Sequence, residues 1–239
     1  DSIQFSKYLI PLSKVSNKIT FVVQENIKNL FKDLKNINIK TYDECKNQTF
    51  DFKISLGSLI KFFYKEEINL EESLIEFNHK KKIELENKID FSKKNIGLVW
   101  SGSFLGPNEP YRSIPLNNFR KILSLNANFY ALQNEVWERD LEYFKSSNLI
   151  DCGNYKLDEL SSLISKLDLV ISSDTSILHL ASSLNIETWG ILCLYPDWRW
   201  GEFNKFNPYN KLKLFNQKQF CNWDFINDEV YELLEKKLN

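Results

Sequence analysis

The 239-residue chain contains no methionine. It opens on Asp1-Ser2-Ile3-Gln4-Phe5, in the middle of a pattern, and with no initiator it reads as a fragment of a longer protein. Arginine is scarce. Only Arg112, Arg120, Arg139 and Arg199 stand among 31 basic residues, so each guanidinium in this lysine-rich chain draws notice. Histidine occurs twice, at His79 and His179, too few for a His-rich metal site. Cys45, Cys152, Cys193 and Cys221 lie far apart with no CxxC, which excludes a paired-cysteine zinc site and a dense disulfide scaffold. Reduced thiols in a cytoplasmic protein are expected. No run approaches the ~18 apolar residues of a membrane span. Charge of one sign is also missing: 31 basic residues face 32 acidic ones, for a net −1, so nothing draws the chain generally to nucleic acid or anionic lipid.

What is present suffices for a folded core. Hydrophobic residues make up 43% of the chain, and the length suits one large domain or two small ones. Residues 3–9 read as an amphipathic helix ending near Pro11. The β-branched run Ile19 to Val23 reads as a buried strand, and Glu25 to Leu34 has helical spacing. Ile37 to Lys40 alternates as a strand, as does Phe50 to Ile54, and Leu56 to Phe63 reads as helix. Residues 65–95 carry blocks of Lys and Glu and read as a solvated connector, with His79 exposed in it. A second α/β unit begins at the strand Ile96 to Trp100. It continues through helix 114–123 with Pro115 in its first turn, strand 129–132, helix 136–144, helix 157–167, strand 169–172, helix 175–184 and strand 188–194. An amphipathic helix, 224–238, closes the chain. Alternating strands and helices imply parallel sheets covered by helices. The expected domains are therefore 1–65, a connector 66–95, a unit 96–223 and a terminal helix 224–239 that packs back across the hinge onto the first unit.

Three stretches carry chemistry. In the first, a buried strand ending at Ser172-Ser173 runs into Asp174-Thr175-Ser176 and then a helix. Free N–H groups and the positive helix end form an anion site there, with His179 one turn on and facing it. The same residues also read as an ordinary capped helix with a satisfied histidine. In the second, small residues Ser101-Gly102-Ser103 follow a strand, and the loop ends at Arg112-Ser113. Small residues let a ligand approach the backbone, and Arg112 at the start of the next helix can clamp a phosphate. A surface arginine in a loop is the plainer alternative. The third is Tyr195-Pro196-Asp197-Trp198-Arg199-Trp200-Gly201, where aromatic faces and polar partners suit a sugar or base, or where the tryptophans simply plug a core edge. GxGxxG, GxxxxGK[ST], GxSxG and Asp-x-Asp are all missing, which removes the dinucleotide fingerprint, the P-loop, the hydrolase elbow and the usual metal-holding signature of metal-dependent sugar transferases.

In order, Asp1 to Leu9, Phe50 to Leu59, Ile96 to Gly102, Arg112 to Leu116, Ala131 to Gln133, Asp168 to Ala181 and Pro196 to Trp200 resemble glycosyltransferase family nine, the heptosyltransferase-like group. The likeness is strongest to the catalytic region of bacterial proteins carrying tetratricopeptide repeats upstream. The resemblance implies a GT-B fold: two Rossmann-like domains whose parallel sheets face across a cleft, with 1–65 the acceptor domain and 96–223 the donor-binding domain. It implies a metal-independent inverting transfer from a nucleotide-diphosphate sugar to a hydroxyl on a glycan, lipid-linked or protein acceptor. It implies no cofactor beyond that donor, which is a substrate, no metal and a cytoplasmic setting. Asp1 aligns with the family's proposed base, so a first strand and a glycine would precede this sequence. The implied donor-site residues are Ser101, Gly102, Arg112, Ser113, Gln133 near the base, Asp174, Thr175, Ser176, His179, Asp197, Trp198 and Arg199. Two departures lower the positive charge near the expected diphosphate: Asn134-Glu135 replaces the usual Lys-Gly, and residues 103–109 hold no basic residue. A non-catalytic nucleotide-sugar or glycan-binding module and a nucleotide-sugar epimerase of similar fold are the alternatives.

Overall fold

The computed structural model describes residues 1–63, 84, 89–103, 109–200 and 209–239. Most of the expected connector, His79 within it, Phe104 to Asn108 and Gly201 lie outside the described residues.

Two parallel sheets build the protein. In the first, β1 (Ile19–Val23) pairs with β2 (Ile37–Thr41), Phe21 opposite Ile39. The second holds six strands: β3 (Asn95–Val99), β4 (Asn128–Ala131), β5 (Ile150–Asp151), β6 (Leu169–Ser173), β7 (Thr188–Leu192) and β8 (Leu212–Asn216). Their spatial order is β5-β4-β3-β6-β7-β8, all parallel. Counted from β3, that is 3-2-1-4-5-6, the Rossmann order, and it puts the topological switch point between β3 and β6. Burial follows: β3, β6 and β7 are covered on both faces and read as continuous apolar runs. Gly97 makes room at the middle of β3, because a Cβ there would lie 2.6 Å from Leu132 Cδ1.

The amino edge of this sheet is clasped by polar groups. Asp168 accepts from the Asn95 backbone N–H at 2.9 Å and from Lys94 Nζ at 2.7 Å, while Asn95 Oδ1 accepts from Asn128 and from the Tyr130 hydroxyl, both at 3.1 Å. These bonds fix the register of β3, β4 and β6 at the end opposite the switch-point loops.

The two units share one core. Tyr8, Phe21, Leu30 and Phe31 from the first pack with Tyr130, Leu163, Val170 and Leu180 from the second. The helical turn Ser2–Phe5 lies against the helix Ser176–Ser183.

Several expectations need correction. The N-terminal helical run continues past Pro11 to Val15, because Pro11 sits in the first turn of the segment Leu9–Val15, where its missing N–H costs nothing. Phe50 to Ile54 is not a strand. Among the described residues its alternation pairs with no neighbour, and Phe52 stands 93% exposed. Residue 115 is the N-cap of a 3-10 turn, Leu116–Phe119, which leads into Arg120–Leu123. The terminal segment, a π turn Ile226–Val230 followed by the helix Tyr231–Leu238, packs, among the described residues, on the second unit. Ile226, Val230 and Leu234 fill the other face of the large sheet with Phe119, Ile122 and Phe129. The edge strands β5 and β8 are additions. No helix among the described residues is long and apolar enough to cross a membrane.

Candidate active site

The carboxyl ends of β3 and β6 open into a cleft of about 490 Å³. At its floor, the Gln133 side chain, buried just beyond β4, holds the loop after β3 in shape. Its Oε1 accepts from the backbone N–H groups of Trp100 (3.2 Å) and Ser101 (3.1 Å). Its Nε2 donates to Ser101 O, Ser101 Oγ and Glu135 O, each at 2.8 Å. Gln133 and Ser101 do line the cleft, yet the Ser101 N–H and the Gln133 carboxamide are already engaged with each other. Gln133, expected near a base, is also the staple of the loop.

A second buried clamp sits behind. Asp140 accepts from Trp100 Nε1 at 3.1 Å and from the Leu116 N–H at 2.9 Å, tying the helix Glu138–Ser146 to both ends of the loop after β3. Ser113 belongs to this support and not to the cleft wall. It is 2% exposed, and its carbonyl accepts from Arg139 at 3.3 Å.

Above the floor, the helix Ser176–Ser183 points its N-terminus into the cleft, which Asp174, Thr175 and Ser176 line. Thr175 is the N-cap in extended conformation, but no side chain caps the helix. The Thr175 hydroxyl is turned to Ser172 Oγ at 3.1 Å, and Ser172 donates to the Ser173 carbonyl. First-turn N–H groups and the positive helix end are thus left facing the cleft. The far end is closed by a left-handed Asn185 (φ 58°), with Asn185 N donating to Ser182 O and Ile186 N to Ala181 O, a Schellman cap that returns the chain into β7.

Arg112 falls at the end of a helical turn, Glu109–Arg112, and not at the start of the next helix. Its Nη1 donates to the Asp174 carbonyl at 3.0 Å, which stations the guanidinium beside the helix N-terminus. Burial raises the Asp174 carboxyl above its ordinary value, against the pull of Arg112 and Arg199. His179 is stacked on Trp200, ring centroids 5.3 Å apart and planes 2° from parallel, and its Nδ1 is 3.0 Å from the Tyr209 hydroxyl. Burial drives its pKa well below the ordinary value, so the imidazole is neutral and offers a hydrogen bond and not a charge.

From the other side comes Asp1, its side chain 73% exposed. It is ion-paired with Arg199 Nη1, and Arg199 Nε lies 2.9 Å from Asp197 Oδ1. Asp197 therefore orients Arg199 and lies outside the cleft lining, as does Trp198, which stands 62% exposed. Ser103, Asn134 and Glu135 also line the cleft, as do Gln4 and Asn26, which sequence reasoning missed. The i, i+3 spacing of Gln4 from Asp1 was the available signal for one of them.

A cleft at the switch point of a Rossmann-ordered sheet, roofed by an uncapped helix N-terminus and faced by a second parallel α/β unit, defines a nucleotide-binding fold of the GT-B type. Residues 123–220 match the model of glycosyltransferase family 9 (heptosyltransferase). Among solved structures, a glycosyl transferase family 9 protein from Veillonella parvula superposes with a TM-score of 0.58 at 12% identity, over 98% of this chain and 89% of that one. E. coli ADP-heptose lps heptosyltransferase II gives 0.60 at 11% identity, over 98% and 95%. E. coli heptosyltransferase WaaC with ADP-2-deoxy-2-fluoro heptose gives 0.55 at 9% identity, over 99% and 97%. No curated protein sequence matches the chain. The structural likenesses establish the fold, and with the family match they support a glycosyltransferase.

Proposed function

We propose that this protein moves a sugar from a nucleoside-diphosphate sugar to a hydroxyl acceptor, with inversion at the anomeric carbon and without a metal. One observation carries the reading: a carboxylate, Asp1, and an uncapped helix N-terminus, at Ser176, line the same cleft from opposite units. The acceptor hydroxyl attacks the anomeric carbon while Asp1 takes its proton. The bond from that carbon to the phosphate oxygen breaks on the opposite face, and the nucleoside diphosphate leaves with the electron pair. Its growing charge meets the N–H groups of the helix Ser176–Ser183 and the Arg112 guanidinium, groups already oriented before reaction. His179, neutral and stacked on Trp200, gives that wall its shape. Arg199 holds Asp1 toward the C-terminal unit until the acceptor replaces it.

A nucleotide-binding module without turnover has its own support. Three carboxylates, Asp1, Glu135 and Asp174, line the cleft against the two guanidiniums of Arg112 and Arg199. The donor screen decides the first half of the reading. ADP, GDP and UDP are added to the intact protein and thermal unfolding is followed, since selective ligands stabilise the folded state. One diphosphate should raise the midpoint, and Arg112→Ala should reduce that rise. Equal silence from all three overturns the donor site. Undiminished transfer in excess EDTA is expected, and loss of transfer there overturns the metal-free route. The cytoplasmic setting and an upstream repeat domain belong to the same proposal.

A further inference from the structure

The N-terminal wall of the cleft differs chemically from the rest. Among the described residues it contributes Asp1, Gln4 and Asn26, one carboxylate and two carboxamides, while both lining cations, Arg112 and Arg199, come from the C-terminal unit. Gln4 follows Asp1 by three residues on the helical turn Ser2–Phe5, so both side chains project from one face. It is 6% exposed, and its Oε1 is buried with no hydrogen-bond partner. A buried acceptor left open is uncommon in folded proteins, and with no accessible surface of its own it meets a ligand only when the Gln4 side chain turns into the cleft. Asn26 stands exposed on the turn Glu25–Lys28, directly after β1.

We infer that Gln4 and Asn26 form an acceptor subsite that selects a neutral, polyhydroxylated sugar over a phosphorylated or carboxylated one. This rests on the transferase reading of the cleft. A carboxamide offers two N–H donors and an acceptor oxygen, which matches sugar hydroxyls, each both donor and acceptor. An anionic acceptor has no such match. It would meet the Asp1 carboxylate across a wall whose described lining residues include no cation, and like charges at contact disfavour binding. Of the two lining cations, Arg199 is shared between Asp1 and Asp197, and Arg112 donates to the Asp174 carbonyl. Lys7, on the same helical run, does not line the cleft. It is buried, with its Nζ 5.3 and 5.2 Å from the ring centres of Tyr8 and Tyr209.

The test is a titration of the intact protein with methyl β-glucopyranoside and with methyl β-glucuronide, read by saturation-transfer NMR without nucleotide. The neutral glycoside should bind saturably and the uronide at least several-fold more weakly. Gln4→Met, which keeps the buried stem, and Asn26→Ala, at an exposed position, should each weaken the neutral glycoside by about tenfold, the worth of one lost hydrogen bond. A uronide that binds as tightly, neutral binding unchanged in both variants, or no saturable binding of the neutral probe overturns the inference. ADP titrated separately reports on the donor site, so a failed transferase reading shows there and a failed acceptor subsite shows in the glycosides.

Discussion

Lys7 gives the sharpest stability prediction. It is 8% exposed and lies between Tyr8 and Tyr209, near the neutral His179. Burial lowers its pKa from 10.5 to about 7, while burial pushes the Tyr8 hydroxyl up to about 12 and the Tyr209 hydroxyl higher still, so both rings stay neutral across that interval. Between about pH 7 and 10.5 the unfolded chain therefore binds more protons than the folded one, and stability rises with pH across that window. Below pH 7 the ammonium is charged in both states and its burial cost is fully present. At 1.36 kcal/mol per pH unit the interval sets an upper bound of about 5 kcal/mol. Cation–π attraction to the two rings returns about 1–2 kcal/mol, leaving about 3–4. Lys7→Met keeps the apolar stem and removes the charge. Urea unfolding from pH 6 to 10.5 should show the variant more stable than wild type by that amount at pH 6–7, with the gap closing toward pH 10.5. A variant less stable at pH 7, or a gap that does not change with pH, would refute the assignment of a buried, depressed lysine.

Other perturbations have equally definite outcomes. Gln133→Ala strips the acceptor from the Trp100 and Ser101 N–H groups, and at about 1–3 kcal/mol for each orphaned buried group it should cost about 2–6 kcal/mol in denaturant titration and weaken diphosphate binding. Gly153→Ala places a Cβ 2.6 Å from the Gln133 carbonyl oxygen, a backbone atom that cannot rotate away, so about 1–3 kcal/mol of destabilisation is expected by the same assay. Burial pushes the Cys152 thiol up to about 12, whereas Cys221 is exposed. An aromatic disulfide reagent at pH 8 should label Cys221 rapidly and Cys152 only on unfolding. Fast labelling of Cys152 in the folded protein would contradict its burial.

The C-terminal unit was legible because its buried strands are long apolar runs followed by turn residues, as at Leu169 to Ser173, and these need no partner to be recognised. The edge strands were not. β5 is two residues long, and β8 interleaves its apolar residues with lysine. Phe50 to Ile54 shows the converse, an alternation that nothing in the fold uses, since period two marks a strand only where another strand can pair with it. At the site, the strand–turn–helix at Ser173 to Ser176 and the rarity of Arg112 and Arg199 pointed to residues that do meet in one cleft. Gln133 also came to the cleft, but as a staple, because its bonding is set by the loop folded over it. Asp140, Tyr209 and Asn26 carried no local signal. Their roles depend on contacts across 24 residues or more, or on which unit faces the cleft.

Asp1 is the proposed base opposite a diphosphate cradle. Its most direct test is Asp1→Asn in the intact protein, with acceptor-dependent release of nucleoside diphosphate and binding of that diphosphate measured separately. Turnover should fall by about 10²–10⁴, the usual worth of a positioned proton acceptor, while diphosphate affinity changes little. Undiminished turnover in the variant would contradict the account.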